Sequence, residues 1–318
     1  MCSRPSTLTK ALAAIASVAL LASSAGCEAR VYGAPGDRSD GPKLTVIAAP
    51  KMPADATPLQ SAPGQPVATF DGLQVREQQA TAEASDSGAD ITVAVLDRDT
   101  GELVTNGRNT SIAIASVVKL FIADDLLLQV SQGKTTLSPA DQQLLDVMLR
   151  SSDDSAAETF WNRSGKSAII NRVVARYGLA STRPPGNGRW FNTMSTATDL
   201  VRYYDMLISG AGGLPSPQAN IMLNDLAQST PTAPDGMVPG GVYPQRFGIP
   251  EGIPGEPVAV KQGWMCCIGS DWMHLSTGVI GTDRRYVMAI SSMQPTSAAN
   301  ARETITEAVQ TIFPGGRI

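Results

Sequence analysis

Ser116 and Lys119 stand three positions apart in the pattern S-x-x-K, directly after the run 112–115. On a helix that spacing is about one turn, so both side chains share a face. A serine hydroxyl is a weak nucleophile and needs a neighbouring base. A partly buried lysine supplies one, because desolvation lowers its pKa. A helix start here also aims backbone N–H groups and a positive dipole end at the serine. Alone, the pattern is weak, since most such matches are solvated helix residues. Two more stretches carry chemistry. Ser152, Asp153 and Asp154 precede an Ala-rich run ending at Glu158. A Ser or Asp there is also a helix N-cap, and the two roles are compatible. Lys261, Gln262 and Gly263 close a strand pattern, where an edge lysine before a glycine turn is the plain alternative.

The other reactive side chains give less. His274 is the single histidine and lies in a strand pattern, so a structural role is expected and a Ser-His-Asp triad is not. Cys266 and Cys267 are adjacent. Outside the cytoplasm they form a vicinal disulfide or stay reduced and buried, and both readings stand. A zinc site joining them to His274 lacks its remaining ligands, so no metal and no cofactor is expected. Trp264 and Trp272 either line a cleft or pack.

The elements that must position these groups begin after a leader. Arg4 and Lys10 precede an apolar run over 11–22, followed by small residues up to Cys27. The run is shorter than the roughly 20 residues that span a bilayer and has the flanks of a signal peptide. Its exit resembles the lipobox of bacterial lipoproteins, with Cys27 the lipidated first mature residue, although Ser24 stands where a Leu is usual. The expected organisation is a signal peptide over 1–26, a lipidated Cys27 with a Pro-, Ala- and Gly-rich tether over 27–69, and a folded domain over 70–318. The chain is then exported and held on the outer face of the cell membrane. A net charge of -4 and a pI near 5.1 exclude the basic face that nucleic-acid binding needs.

Within the domain, periodicity predicts a helix over 73–84 and a hairpin of strands 91–96 and 102–105. Helices follow over 116–131, 138–150, 153–163, 166–177 and 195–209. A Gly- and Pro-rich stretch over 210–257 leads to strands at 258–261, 274–280 and 286–290. A last helix over 297–312 is capped by Thr296 or Ser297. Terminal segments thus make a sheet and the middle makes helices. That is an α+β layout, an antiparallel sheet flanked by terminal helices with an inserted helical region over about 116–210.

Taken in order, the three chemical stretches resemble the serine, S-D-N and K-T-G elements of the penicillin-recognising serine enzymes, the class A β-lactamases and D,D-peptidases. The resemblance covers most of 70–316 and includes the stretch from Met148 to Ala157 and that from Asn192 to Ala197. Exported lipoproteins of mycobacterial type look like this chain. The resemblance implies a β-lactamase/transpeptidase-like fold. It makes Ser116 the acylated nucleophile, Lys119 its proton acceptor and Ser152 the relay to the leaving nitrogen. Lys261 then holds the substrate carboxylate and biases Ser152. Substrate-binding and oxyanion positions fall on Asp154, Gln262, Gly263 and Trp264, with the backbone N–H groups of Ser116 and Trp264 forming the oxyanion hole. The implied partner is a peptidoglycan-type peptide or a β-lactam.

The pattern departs from the family in three places. Asp154 replaces an Asn, and a carboxylate donates no hydrogen bond unless protonated; it can pair with Lys119 instead. Gln262 replaces a Thr or Ser. No Asp or Glu lies between Glu158 and Asp199, so the loop over 181–190 lacks the Glu that activates deacylating water in the lactamases. Two readings follow: an exported serine hydrolase acylated at Ser116, with efficient β-lactamase action disfavoured, or a wall-binding lipoprotein of the same fold with weak or lost catalysis. The anchor has its own check. Palmitate labelling of the protein expressed in a mycobacterial host is expected, and Cys27→Ala should abolish it and release the chain from the membrane fraction.

Overall fold

A computed structural model of the protein describes residues 70–318. The expected signal peptide, Cys27 and tether lie outside the described residues. The first helix, α1 (Leu73–Asp86), leads into the hairpin β1 (Asp90–Asp97) and β2 (Glu102–Thr105). The chain returns to the sheet only at β7 (Val258–Ile268), β8 (Asp271–Ile280) and β9 (Tyr286–Gln294), then ends in α9 (Ala298–Ile312). The sheet has the order β2-β1-β9-β8-β7, antiparallel throughout, so β7 is an edge.

Strand alternation explains both faces. On β1 and β9, Ile91, Val93, Val95, Met288 and Ile290 enter a core shared with α1 and α9. Their neighbours Ala94, Val287 and Ala289 enter the core of the inserted helices. A period of two puts successive residues on opposite faces, so a sheet covered on both sides reads as continuous apolar runs.

The inserted region holds α2 (Lys119–Ser131), α3 (Pro139–Arg150), α4 (Asp154–Arg163), α5 (Ser167–Tyr177), α6 (Ala197–Ser209) and α7 (Ser216–Ala227). The central helix is α2, buried from Lys119 through Leu127. A helix apolar on all sides belongs in a core. Its buried acids are paired: Arg172 grips Asp125 with two bonds of 2.7 Å, and Arg176, Tyr177 and Tyr203 surround Asp124. The α3 start carries a full capping box between Ser138 and Asp141.

Several boundaries differ from the sequence expectation. Residues Ala115–Val118 form a 3-10 turn, and regular helix begins only at Lys119. The pair β3 (Ile112–Ala113) and β4 (Met194–Ser195) shortens the helix expected at 195, which starts after the Thr196 cap. The Gly- and Pro-rich stretch contains α7, the hairpin β5 (Thr232–Pro234) with β6 (Val242–Pro244), and a turn of helix α8 (Ile249–Gly252). Strands β7 and β8 each run longer than expected, because they pair with each other across a tight turn at 269–270. The last helix is capped by Ser297, which accepts from the Asn300 N–H at 3.2 Å.

Glu77 faces inward from α1, fully buried, and neither carboxylate oxygen has a hydrogen-bond partner among the described residues. Burial pushes its pKa from 4.5 up to about 8, against a smaller opposing pull from the Arg76 charge. The folded state therefore keeps the proton while the unfolded chain releases it above about pH 4.5. Stability falls as pH rises through this window, by up to about 1.4 kcal/mol per unit. Glu77→Gln should remove that slope. Urea titrations at about pH 5, 6.5 and 8 should show the variant gaining on the wild type at each step; parallel curves would mean that Glu77 is solvated.

Candidate active site

Three elements bring the candidate groups together. Ser116 sits in the turn before α2, after Ala115 at φ +43°. Lys119 opens α2 and is completely buried. Ser152, at φ +57°, closes the turn before α4, where Asp153 caps the helix by accepting from the Ala156 N–H at 2.8 Å. Non-glycine residues in that region cost roughly 1–3 kcal/mol each and persist where surrounding packing enforces them. Here they mark the two turns that carry the hydroxyls.

Lys119 Nζ donates to Ser116 Oγ at 2.8 Å, to the Ser152 carbonyl at 2.7 Å and to Ser152 Oγ at 3.2 Å. It also donates to Asp154 Oδ1 at 2.5 Å. Lys261, on β7 and likewise buried, donates to Ser152 Oγ at 2.8 Å and to the Gln262 carbonyl at 3.2 Å. Ser152 thus bridges two lysines, one of which touches Ser116. Burial lowers the Lys119 pKa, and Asp154 works against that shift. Burial holds Lys261 well below the ordinary lysine range, with repulsion from Lys119 adding to it.

Strand alternation on β7 decides which side chains arrive. Ala259 and Met265 pack with the inserted helices, and Lys261 and Gly263 lie on that same face. A Cβ on Gly263 would stand 2.6 Å from the Ile114 carbonyl and 3.3 Å from the Ser116 nitrogen, so only glycine lets β7 run this close to the serine turn. Val258, Val260 and Trp264 pack with the other core. Gln262 shares their face: it is buried and donates to the Phe247 carbonyl at 3.4 Å. The substrate contact expected of its side chain is therefore not brought to the site.

Above the network lies a cleft of about 330 Å³ with Ser116 and Asp154 in its lining. Trp190 and Phe191 form one wall, the turn from Pro234 to Met237 another, and β7 from Trp264 to Cys267 the third. Trp264 does not plug the opening; its ring stacks on Tyr243 with centroids 4.5 Å apart. Cys266 and Cys267 are joined as a vicinal disulfide at the rim. His274 is buried, its Nε2 paired with the Tyr243 hydroxyl at 2.7 Å, and burial lowers its pKa to about 3, so it stays neutral and structural. Among the described residues no group of three or more His, Cys, Asp or Glu side chains is placed to hold a metal ion.

Two features of the site escaped the sequence reading. Trp190 covers the network, with its ring centroid 4.9 Å from Lys119 Nζ, and its indole N–H donates to Glu158 at 3.0 Å. The loop lacking a carboxylate thus places an aromatic face over the lysine. Gly236 is the second. A Cβ there would stand 2.3 Å from Asp154 Oδ2, so a glycine lets the β5–β6 turn close on the carboxylate. Pro234, Asp235 and Gly236 carry a turn signal, but nothing local says what that turn covers.

The profile of the beta-lactamase enzyme family matches residues 139–314. The chain belongs to that family. A Mycobacterium tuberculosis protein named "Putative lipoprotein LppW" is 56% identical over 324 residues, covering 100% of both chains. Among solved structures of the family's fold, a class A beta-lactamase from Mycobacterium abscessus aligns with TM-score 0.59 and 21% identity, over 74% of this chain and 97% of that one. PBP-A aligns with TM-score 0.61 and 18% identity, over 78% and 97%. The fold is therefore β-lactamase/transpeptidase-like. Burial sets the direction of the Lys119 shift, and Asp154 opposes it by favouring the charged amine. Asp154→Asn removes the carboxylate that favours the charged amine. The limb of the pH profile of Ser116 labelling that reports Lys119 should move toward acid, with faster labelling at neutral pH. An unmoved limb would show that Asp154 does not govern Lys119.

Proposed function

We propose that this chain is an exported, lipid-anchored serine hydrolase whose Ser116 takes up the acyl group of an amide or ester, of the class that includes cell-wall peptides and β-lactams. The carrying observation is the 2.8 Å contact between a buried lysine amine and the Ser116 hydroxyl. In its neutral form Lys119 accepts the Ser116 proton as Oγ attacks the carbonyl carbon. The Ser152 hydroxyl, 3.2 Å from Lys119 and 2.8 Å from Lys261, relays a proton to the leaving nitrogen or oxygen. Lys261 biases that hydroxyl. Gly263 brings the β7 edge beside the serine turn, in support of an oxyanion hole from the Ser116 and Trp264 N–H groups.

Release of the acyl group is slow in this reading. The loop over 181–190 offers no carboxylate, and the wall beside Ser116 is the apolar pair Trp190 and Phe191. The one carboxylate lining the cleft, Asp154, is engaged by Lys119 rather than free to serve a water as base. The membrane anchor rests on the sequence signal at Cys27 and on the lipoprotein name of the 56% identical relative. It places the site on the outer face of the cell membrane.

A second reading, a wall-binding protein of the same fold without catalysis, draws on the 2.5 Å ion pair that favours a protonated Lys119. A fluorophosphonate probe separates the two, because it reports an activated serine whatever the natural substrate. The full-length protein should gain one phosphonyl adduct at Ser116 by intact mass and peptide mapping. Ser116→Ala should take up none, and Lys119→Met should react at least about a hundredfold more slowly, the size of a lost general base. No adduct on the wild type would favour the binding protein.

A further inference from the structure

The cleft over Ser116 has no cation to offer a substrate. Among the described residues, none of those lining it is a Lys, Arg or His, and its one charged member is Asp154. The two nearby lysines lie beneath it. Lys261 is 1% exposed, with its amine bonded to the Ser152 hydroxyl and the Gln262 carbonyl. Lys119 is 0% exposed and its amine is held by Ser116, Ser152 and Asp154. Arg302, a cation from α9, lies over the Tyr243 ring at 4.7 Å. Trp264 stacks on Tyr243 at 4.5 Å. Two groups that close to one ring must occupy its opposite faces, so Tyr243 stands between Arg302 and the cleft wall. Gln262, the remaining polar side chain of the strand, is turned to the other core. The walls that face the opening are mainly apolar, Trp190, Phe191, Pro234, Met237 and Met265, with Asn192 an uncharged amide among them.

An anionic group entering such a cleft loses its hydration and finds a carboxylate, a hydroxyl, one uncharged amide and apolar walls in its place, a cost that no opposite charge in the lining offsets. Uncharged alkyl or aromatic groups gain by the same burial. We infer that Ser116 acts on uncharged, apolar acyl donors, esters or internal amides with no free carboxylate beside the scissile bond, and discriminates against carboxylate-bearing ones such as penicillin acids or chain-terminal peptides. This rests on the reading of Ser116 as nucleophile. In the step itself the Ser116 Oγ–acyl bond forms and the acyl C–N or C–O bond breaks. The serine proton passes to Lys119, and the leaving atom takes one through Ser152.

Benzylpenicillin and its methyl ester test this directly, since they share the reacting ring and differ in one charge. The full-length protein is first treated with fluorophosphonate. Failure to label Ser116 overturns the nucleophile reading and this inference with it. With Ser116 labelled, adduct formation on fresh protein is followed by intact mass for each penicillin. The methyl ester is expected to acylate at least tenfold faster than the acid. An acid equal to or faster than the ester, or no adduct from the ester, overturns the inference while leaving the nucleophile in place. Met237→Arg adds a cation on an exposed part of the wall and should narrow the ratio at least threefold. A ratio unchanged in that variant, shown folded by its circular dichroism, would mean that wall charge does not set the preference.

Discussion

Lys119 and Lys261 both reach the Ser152 hydroxyl, at 3.2 and 2.8 Å, and both are buried. Isolated buried ammonium groups are so costly that proteins pair them, hydrogen-bond them or strip their proton. All three responses meet here. Lys119 directs its donors at the Ser116 hydroxyl, the Ser152 carbonyl and the Asp154 carboxylate. Lys261 has only a hydroxyl and a carbonyl, and burial together with repulsion from Lys119 favours its neutral form. The geometry of the site follows from satisfying these two amines.

That requirement reaches into the fold. The groups involved belong to α2, to the turn before α4 and to β7, which are far apart in sequence. Two of them, α2 and β7, are fixed by packing, and the turn before α4 by a local cap together with a contact to α3. The α2 helix is enclosed on all sides and tied to α5 by arginine–carboxylate pairs. The turn before α4 is held by the Asp153 cap and by the Asp153 N–H bonded to the Val147 carbonyl at 3.1 Å. The β7 strand is zipped to β8 along its length, with Gly263 against the serine turn. Left-handed conformations at Ala115 and Ser152 are tolerated because these neighbours leave no alternative path.

The legible part of this site was the part encoded at short range. Three-residue spacing announced Ser116 and Lys119 as a pair, Asp153 announced a cap, and strand and turn patterns announced the segments of the sheet. The Ser152 and Lys261 positions were read from their resemblance to family elements, and the fold bonds Ser152 to both Lys119 and Lys261. What the sequence hid depends on contacts between distant segments. Trp190 looked like one more residue of a loop without a carboxylate, yet the β3–β4 pairing swings that loop across Lys119. Gln262 sits in line with a substrate-binding position of the motif. The period of the strand nonetheless points it, with Val260 and Trp264, into the opposite core. The α7 helix was concealed by the glycine and proline around it, although Pro217 stands in its first turn, where a proline fits.

Asp154 holds two duties that oppose one another. As the partner of a completely buried ammonium it stabilises the fold, since removing one member of such a pair leaves an uncompensated charge. As the nearest anion to the base of the proposed reaction it favours the protonated amine, which cannot accept the Ser116 proton. An asparagine would settle the conflict for catalysis by retaining a hydrogen-bond acceptor without the charge. A carboxylate settles it for stability. Its surroundings soften the conflict: the Asp154 side chain is 44% exposed whereas Lys119 is sealed, so solvent reaches the anion first. Water there screens the pair and limits how strongly the amine is held charged. Burial of the lysine and partial exposure of its partner therefore pull in the same direction, toward a base that can lose its proton without leaving the pair.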